Sequence, residues 1–304
     1  MDNRLQILDF VKTKVLGVKI TMRTLLFFGL LLPCLVFAET SLWRISKGSH
    51  QLVIGGTVHL LGKSDYPLPD EYEQAFREIG TLVLEADLDA LSKPKSQAKL
   101  IQGLMYTDGS TLQGKIKPKT YKTLARYCKT AGLSFKPMLT MKPSMVVLTL
   151  TMAELNRLGL AGAGVDQFFL AKAKQAGKKI TGLESAESQI ETLENMGKGH
   201  EDELILSTIK EIRKTPEFME EMKKAWRTGN LSDLEQVGIK TMKAEFPELN
   251  ESLLTTRNNA WLPKIKALLN TPERELILVG ALHLAGGEGI LAQLKKQGYA
   301  VKQY

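Results

Sequence analysis

Near its C-terminal end the chain reads Glu275-Leu-Ile-Leu-Val-Gly-Ala-Leu-His283, an apolar run that closes on Gly-x-x-His. A counterpart near the other end reads Gln51-Leu-Val-Ile-Gly-Gly-Thr-Val-His59. A second pair of apolar runs, Thr81-Leu-Val-Leu-Glu85 and Ile180-Thr-Gly-Leu-Glu184, closes on an acid. Short apolar runs bounded by turn residues predict buried strands. The sequence therefore predicts four buried strands, each ending in a side chain that can carry out chemistry.

The segments around these strands predict the rest of an α/β fold. Ser41–Ser46 and the run to His59 flank Gly48 and predict a hairpin. Apolar residues recur every three or four positions through most of residues 119–176 and 187–246, which is typical of helices. Because each strand motif occurs twice, in mirrored order, we expect a mixed sheet of two pseudo-symmetric halves facing one cleft. Helices would pack around the sheet, and the helical middle would be an insertion in a single domain spanning residues 39–304.

The first 38 residues have the pattern of a cleaved signal peptide. Basic residues precede the apolar run Thr24–Ala38, which is shorter than the ~20 residues of a comfortable membrane span. The alternative is an uncleaved anchor, and Met22 is an alternative start site. Cleavage would give a periplasmic or secreted protein without a stable membrane span. The mature chain would then keep only Cys128, which predicts a buried structural thiol and no internal disulfide.

The composition of the chain argues against one class of partner, nucleic acid. The 304 residues are 43% hydrophobic and 24% charged, which is a globular balance. The net charge is +8, but Lys and Arg are interspersed with Asp and Glu, and we expect no basic stripe. Nucleic acid is therefore not an expected partner. The oligomeric state is left open.

Two of the four histidines, His59 and His283, close apolar strands, where ligands of α/β sheets bind. Imidazole is the commonest metal ligand and the commonest acid–base group near neutral pH. Glu85 and Glu184 would be costly to bury without a cation. His59, Glu85, His283 and Glu184 are thus a candidate site for divalent Zn, Mn or Co. The alternatives are histidines that merely cap strands, and glutamates that pair with Lys or Arg or cap a helix.

Arg257 is the fifth candidate. It lies with Asn258 on a helix that leads to the last strand, where it could hold the carboxylates or polarise a substrate carbonyl. A surface ion pair is equally consistent with the sequence. Trp226 and Trp261 are expected in the core. Weaker candidates and expected bystanders are Asp87, Asp166, Glu187, His50 and His200.

Several short motifs resemble one family. They are Gly56-Thr-Val-His59, Leu84-Glu85-Ala-Asp, Gly164-Val-Asp-Gln-Phe-Phe-Leu, Gly177-Lys-Lys-Ile-Thr-Gly-Leu-Glu184, Glu187-Ser-Gln189, Ala225-Trp-Arg-Thr-Gly, Arg257-Asn258 and Gly280-Ala-Leu-His283. In order and number they are similar to the TraB/PrgY/GumN superfamily, which includes the animal TIKI proteases, and most of all to its short secreted bacterial members. The resemblance runs from about Trp43 to the C-terminus. Gly286-Gly-Glu-Gly is richer in Gly and acid than the family pattern after the second His.

The resemblance implies a fold like the erythromycin esterase and ChaN group, and divalent-metal-dependent peptide cleavage as in the TIKI branch. It does not carry over a substrate beyond a peptide or protein. We therefore hypothesise an exported, metal-dependent, peptidase-like hydrolase that uses His59, Glu85, His283, Glu184 and Arg257. Two other hypotheses stay open. One is a metal-free His/Glu hydrolase of the esterase type, and the other is a binding protein that captures a peptide or ligand without turnover.

Overall fold

The structure is a computed structural model that describes residues 40–304. The predicted signal peptide lies outside these residues. Within them, no helix is both long and apolar enough to cross a lipid bilayer.

The described residues form the strands β1 (Leu42–Lys47), β2 (His50–Thr57), β3 (Leu60–Leu61), β4 (Thr81–Ala86), β5 (Gly162–Ala163), β6 (Lys179–Glu184), β7 (Glu275–Gly280) and β8 (Ala300–Gln303). Six of them form one mixed sheet in the order β6-β4-β7-β2-β1-β8, and the short strands β3 and β5 pair separately. The predicted hairpin is confirmed, since β1 and β2 pair antiparallel. The mixed α/β class is confirmed as well.

The four apolar strands lie side by side and run parallel. Strand β7 pairs with β2 on one edge and with β4 on the other, and β4 pairs with β6. The expected single mixed sheet is therefore present. Because β7 bonds to strands from the first half of the chain on both of its edges, the two halves interleave in one sheet. Pseudo-symmetry of the two halves stays a prediction.

The helices lie around this sheet. They are α1 (Asp70–Glu78), α2 (Leu88–Leu91), α3 (Pro94–Leu104), α4 (Leu112–Lys115), α5 (Pro118–Ala131), α6 (Pro143–Arg157), α7 (Val165–Gln175), α8 (Ala186–Asn195), α9 (Glu201–Glu211), α10 (Thr215–Thr228), α11 (Leu231–Leu234), α12 (Lys240–Glu245), α13 (Pro247–Asn250), α14 (Thr256–Leu268) and α15 (Ile290–Lys296). Two π-helical turns, Glu235–Ile239 and Glu251–Thr255, join α11 to α12 and α13 to α14. Helices α5 and α10 end at glycines with φ of 69° and 62°, a conformation that favours residues without a Cβ.

Each face of the sheet buries its own apolar layer. On one face, Tyr72, Phe169 and Trp226 pack with Leu82 and Leu278. On the other face, Trp261 and Ile265 of α14 pack against Ile54, Ile277 and Val279. Both tryptophans are buried as predicted.

The helical middle has a third core of its own. Leu124 and Cys128 of α5, Val146 and Leu150 of α6, and Ile205 of α9 pack together in it. The buried position of Cys128 is confirmed. This separate core agrees with a helical middle segment, to which residues on both sides of β6 contribute.

Neither His59 nor His283 lies on a strand, although the sequence predicted that a strand runs to each of them. Strand β2 ends at Thr57, and β7 ends at Gly280, where the chain enters a 3-10 turn over Ala281–Leu284. The parallel register pairs Thr57 with Gly280. The two strands therefore end level with one another, and both histidines follow at the same edge of the sheet.

Candidate active site

Three of the predicted side chains converge on Gly280. A Cβ added to this glycine would lie 3.1 Å from Glu85 Oε1, 3.5 Å from His59 Nε2 and 3.6 Å from His283 Cδ2. The three groups come from residues far apart in sequence, and the parallel pairing of β4, β7 and β2 brings them to one edge. Because Gly280 has no side chain, a small space stays open between the three groups.

His283 is buried and held from two sides. Its Nδ1 lies 2.7 Å from Asn258 Oδ1, which requires Nδ1 to carry the proton, and its ring packs on Trp261 with centroids 4.4 Å apart. Burial is the main cause that lowers the pKa of His283 to about 4, and Arg257 and His59 add to the effect. The ring is therefore neutral at neutral pH, and the lone pair of Nε2 faces Arg257 Nη1 at 3.4 Å.

The position of His59 is fixed by a short antiparallel pair of strands that follows it. Strand β3 pairs with β5, and Val165 N donates to Val58 O at 3.1 Å, so the start of α7 lies against the His59 backbone. The approach is so close that a Cβ on Gly164 would lie 2.2 Å from His59 O. As a result, Asp166 Oδ2 lies 3.4 Å from His59 Nδ1.

The charge state of His59 differs from that of His283. Partial withdrawal of the ring from water lowers the pKa, but the bond to Asp166 and the charge of Glu85 outweigh this effect and raise it to about 9. In the metal-free protein, His59 is therefore an imidazolium at neutral pH. Two histidines at one point hold opposite protonation states, a pattern typical of acid–base sites.

Glu85 is fixed through both oxygens. Its Oε1 accepts a hydrogen bond from Gly280 N at 2.5 Å and lies 3.7 Å from His283 Nε2, and its Oε2 accepts from Arg257 Nη2 at 2.8 Å. Burial would raise its pKa, but His283, His59 and Arg257 lower it to about 2. Glu85 is therefore a carboxylate throughout the physiological pH range.

Arg257 is the centre of an ion cluster. Its Nη2 donates to Glu184 Oε1 at 2.5 Å and to Gln189 Oε1 at 3.1 Å in addition to Glu85, and its guanidinium packs on Trp261 at 4.6 Å. Only 11% of its side chain is exposed, which excludes the surface ion pair. Arg257 thus contacts both carboxylates, and its part in a reaction stays a prediction.

The contacts of Glu184 are those of a positioning group. Both of its oxygens face Arg257, at 2.5 to 3.4 Å. It is not among the nearest atoms at Gly280. Glu184 therefore orients the guanidinium, and its role as a metal ligand stays a prediction.

A cavity of about 250 Å³ opens onto His59 and Glu85. Its other lining residues are Thr57, Leu84, Ala86, Leu88, Asp166, Gln167, Gln189 and Leu278. This volume accommodates a short portion of a chain-like substrate rather than a large ligand. A larger cavity of about 400 Å³ is lined by His200 and Phe246 and includes none of the residues that converge on Gly280.

The chemistry of the donor set can be compared with the needs of a divalent ion. Two imidazole nitrogens and a carboxylate oxygen suit Zn, Mn or Co. Among residues 40–304, however, no three His, Cys, Asp or Glu side chains are arranged closely enough to hold a metal. The residue types fit the ion, and their present spacing does not.

Three residues of the site were undervalued or missed by the sequence analysis. Asp166 ranked among the weaker candidates, and Asn258 and Gln189 were noted only as parts of motifs. The motif Gly164-Val-Asp-Gln was the signal for Asp166, but only the β3–β5 pairing connects it to His59. Asp87 has a structural role, since its Oδ1 caps α2 by accepting from Ala90 N at 2.8 Å.

The two other histidines lie elsewhere. His50 is exposed at the start of β2, at the opposite end of the strand from Thr57. The His200 side chain is 57% exposed, and its Nε2 lies 3.0 Å from Glu248. Neither belongs to the site at Gly280, as the sequence predicted.

Comparison with known proteins agrees with the motifs. Residues 41–303 match the model of the TraB/PrgY/gumN family. Two curated relatives, each named uncharacterized protein YbaP and coming from Escherichia coli (strain K12) and Shigella flexneri, are 26% identical over 277 residues, which is 86% of this chain and 98% of the relative. No solved structure matches the chain significantly.

Proposed function

The chain belongs to the TraB/PrgY/gumN family, and we propose that it is a hydrolase of peptide-like acyl bonds with its active site at Gly280. The observation that carries the proposal is the convergence of His59 Nε2, Glu85 Oε1 and the His283 ring within 4 Å of one point. Acyl hydrolysis needs a group that takes a proton from water and a group that gives one to the leaving atom. The open space in front of Gly280 is where the reacting atoms would meet.

The two histidines divide the proton transfers. His283, with its proton held on Nδ1 by Asn258, accepts the proton of the attacking water at Nε2. The water oxygen bonds to the acyl carbon, and the bond from that carbon to the leaving nitrogen or oxygen breaks. His59 gives its Nε2 proton to the leaving atom. One water is consumed, and an acid and an amine or alcohol are released.

Glu85 and Arg257 support these transfers electrostatically. The Glu85 carboxylate lies beside both rings and stabilises the positive charge that develops on His283. Arg257 Nη1 lies 3.4 Å from His283 Nε2, so a negative oxygen on the acyl carbon would lie near the guanidinium. Glu184 and Gln189 keep that guanidinium in place.

A metal-dependent reaction is the second candidate, favoured by one observation. The Nδ1 atoms of His59 and His283 each face a fixed acceptor, Asp166 or Asn258, as those of metal-ligating histidines usually do, and both rings lie beside Gly280. His59, Glu85 and His283 would hold the divalent ion. When bound, it would polarise the acyl oxygen and make water more acidic.

The first experiment is digestion of a peptide library by the purified protein, with products identified by mass spectrometry. We expect cleavage that His59→Ala and His283→Ala each lower by about 100-fold or more, a typical contribution of acid–base groups. His50→Ala is the matched control, because His50 lies at the far end of β2 and should leave activity unchanged. Saturable binding without products would favour the binding-protein hypothesis instead.

Metal analysis then separates the two reaction types. Stoichiometric Zn, Mn or Co in the purified protein, with activity lost in EDTA and restored by one of these ions, would favour the metal-dependent reaction. Activity that survives exhaustive EDTA treatment would favour the metal-free reaction. We also propose a periplasmic or secreted location, which cell fractionation tests directly.

A further inference from the structure

Helix α5 carries cations along its solvent-facing side. Lys119, Lys122, Arg126 and Lys129 follow the spacing i, i+3, i+7 and i+10, which places them on one face of a helix. All four are exposed, whereas Leu124 and Cys128 on the opposite side are buried in the core of the insertion. With Lys115 and Lys117 directly before the helix, they form what we call the basic face. The expectation from the sequence that no basic stripe exists was therefore wrong.

Among the described residues, no acidic side chain lies within ion-pair distance of the basic face. Residues 90–145 contain eleven Lys and Arg and one acid, Asp108. The ion pairs of the described residues include none of the six cations of the basic face. The nearby carboxylate of Asp202 accepts from the backbone N–H of Lys117 and so serves the start of the helix. The positive charge of this face is exposed to solvent.

The row of cations on α5 lowers the stability of the helix in two ways. The first turn of α5 has no acidic residue and carries Lys119, although the positive end of the helix dipole disfavours cations there. The pairs 119/122, 122/126 and 126/129 place like charges at spacings where side chains are neighbours and repel. Folding therefore does not account for these charges, and an anionic partner would.

The shape of the face indicates which partner. The four cations span about 15 Å along a convex helix. None of five cavities found among the described residues is lined by α5, so its cations project from an exposed helix face rather than into one of these cavities. We propose that the basic face binds the surface of an anionic phospholipid membrane, with α5 lying along the headgroups. This inference is independent of the proposed hydrolase activity.

Co-sedimentation of the purified protein with lipid vesicles tests the proposal. We expect binding to vesicles containing phosphatidylglycerol, none to vesicles of phosphatidylcholine alone, and release as salt shortens the range of the attraction. In the variant with Lys119, Lys122, Arg126 and Lys129 replaced by Gln, vesicle affinity should fall by at least about 100-fold, at roughly fivefold per cation. Its thermal midpoint should be unchanged or higher, because like-charge repulsion is removed.

A matched control removes the same charge elsewhere. Replacing the exposed residues Lys63, Lys224, Lys295 and Lys302 by Gln should preserve most of the vesicle binding. Equal losses in the two variants would overturn the proposal, because net charge alone would then explain binding. Two other results would also overturn the proposal. One is that the wild-type protein does not bind anionic vesicles, and the other is that it binds only a soluble polyanion such as polyglutamate or duplex DNA.

Discussion

The ion cluster at Arg257 allows a quantitative test of how buried charges stabilise this fold. Replacing Arg257 with Leu removes the cation from two carboxylates, Glu85 and Glu184, whose side chains are 14% and 8% exposed. Leu keeps part of the packing on Trp261, so the main effect is electrostatic. Breaking a buried ion pair from one side costs about 3–5 kcal/mol. We expect a loss of that size in the free energy of unfolding at pH 8.

The loss of unfolding free energy in Arg257→Leu should become smaller as the pH falls. Arg257 is one of the groups that lower the pKa of Glu85 to about 2, so it stabilises the charged form of the folded protein. Without it, the folded state gains by taking up a proton at Glu85 as the pH falls. The difference between wild type and variant should therefore be smaller at pH 4 than at pH 8, because His283 and His59 still lower the pKa of Glu85 in the variant.

Urea unfolding at both pH values, followed by circular dichroism, measures the effect. Arg274→Leu is the control, because Arg274 lies 3.5 Å from Glu78 in a pair that is 61% and 55% exposed, and such pairs contribute about 1 kcal/mol or less. A loss below about 1 kcal/mol for Arg257→Leu, or a loss that is equal at the two pH values, would refute the electrostatic account of the cluster.

Three further predictions follow from the same contacts. Gly280→Ala should fill the space at the convergence point and lower kcat/KM by about 100-fold or more. The free energy of unfolding should change by less than about 1 kcal/mol, because the φ angle of Gly280 is −50°, which alanine also adopts. Normal turnover by this variant would contradict the prediction. The ion pair of His59 with Asp166 should stabilise the fold fully below about pH 6.5 and lose this effect as pH rises through about 9. The thermal midpoint of Asp166→Asn relative to wild type, measured at pH 6 and 9.5, tests this, and a constant difference would argue against it. Tyr72→Phe should cost about 1–3 kcal/mol in urea unfolding, since the buried hydroxyl donates to Gly56 O at 2.5 Å and accepts from Trp226 Nε1 at 3.0 Å. An unchanged midpoint would show that the hydroxyl contributes nothing.

Much of the fold could be predicted because the relevant signals are local. Apolar runs bounded by turn residues identified β2, β4, β6 and β7, and three- and four-residue spacing identified most of the long helices. The C-terminal bound predicted for β7 was wrong, since Ala281–Leu284 is as apolar as a strand but forms a 3-10 turn after Gly280. Apolarity predicts burial, and it does not distinguish a buried strand from a buried 3-10 turn.

The candidate site was predictable in its residue types and less so in its roles. Paired Gly-x-x-His and Leu-Glu endings pointed to His59, Glu85 and His283. The distinction between Glu85 beside the rings and Glu184 behind Arg257 depends on which strand is central in the sheet. The basic face was missed because counting charges along the chain does not show which of them share one side of a helix.

The sequence by itself determined the elements and the kinds of side chain at their ends, because helix and strand periodicity and burial of apolar residues act over a few neighbouring positions. Only the tertiary structure decided that β7 lies between β2 and β4, that Asp166 reaches His59 and that Arg257 joins two carboxylates. These contacts connect residues 73 to 195 positions apart. Their partners are selected by backbone pairing and by the cost of burying charge, neither of which is written into any one segment of the chain.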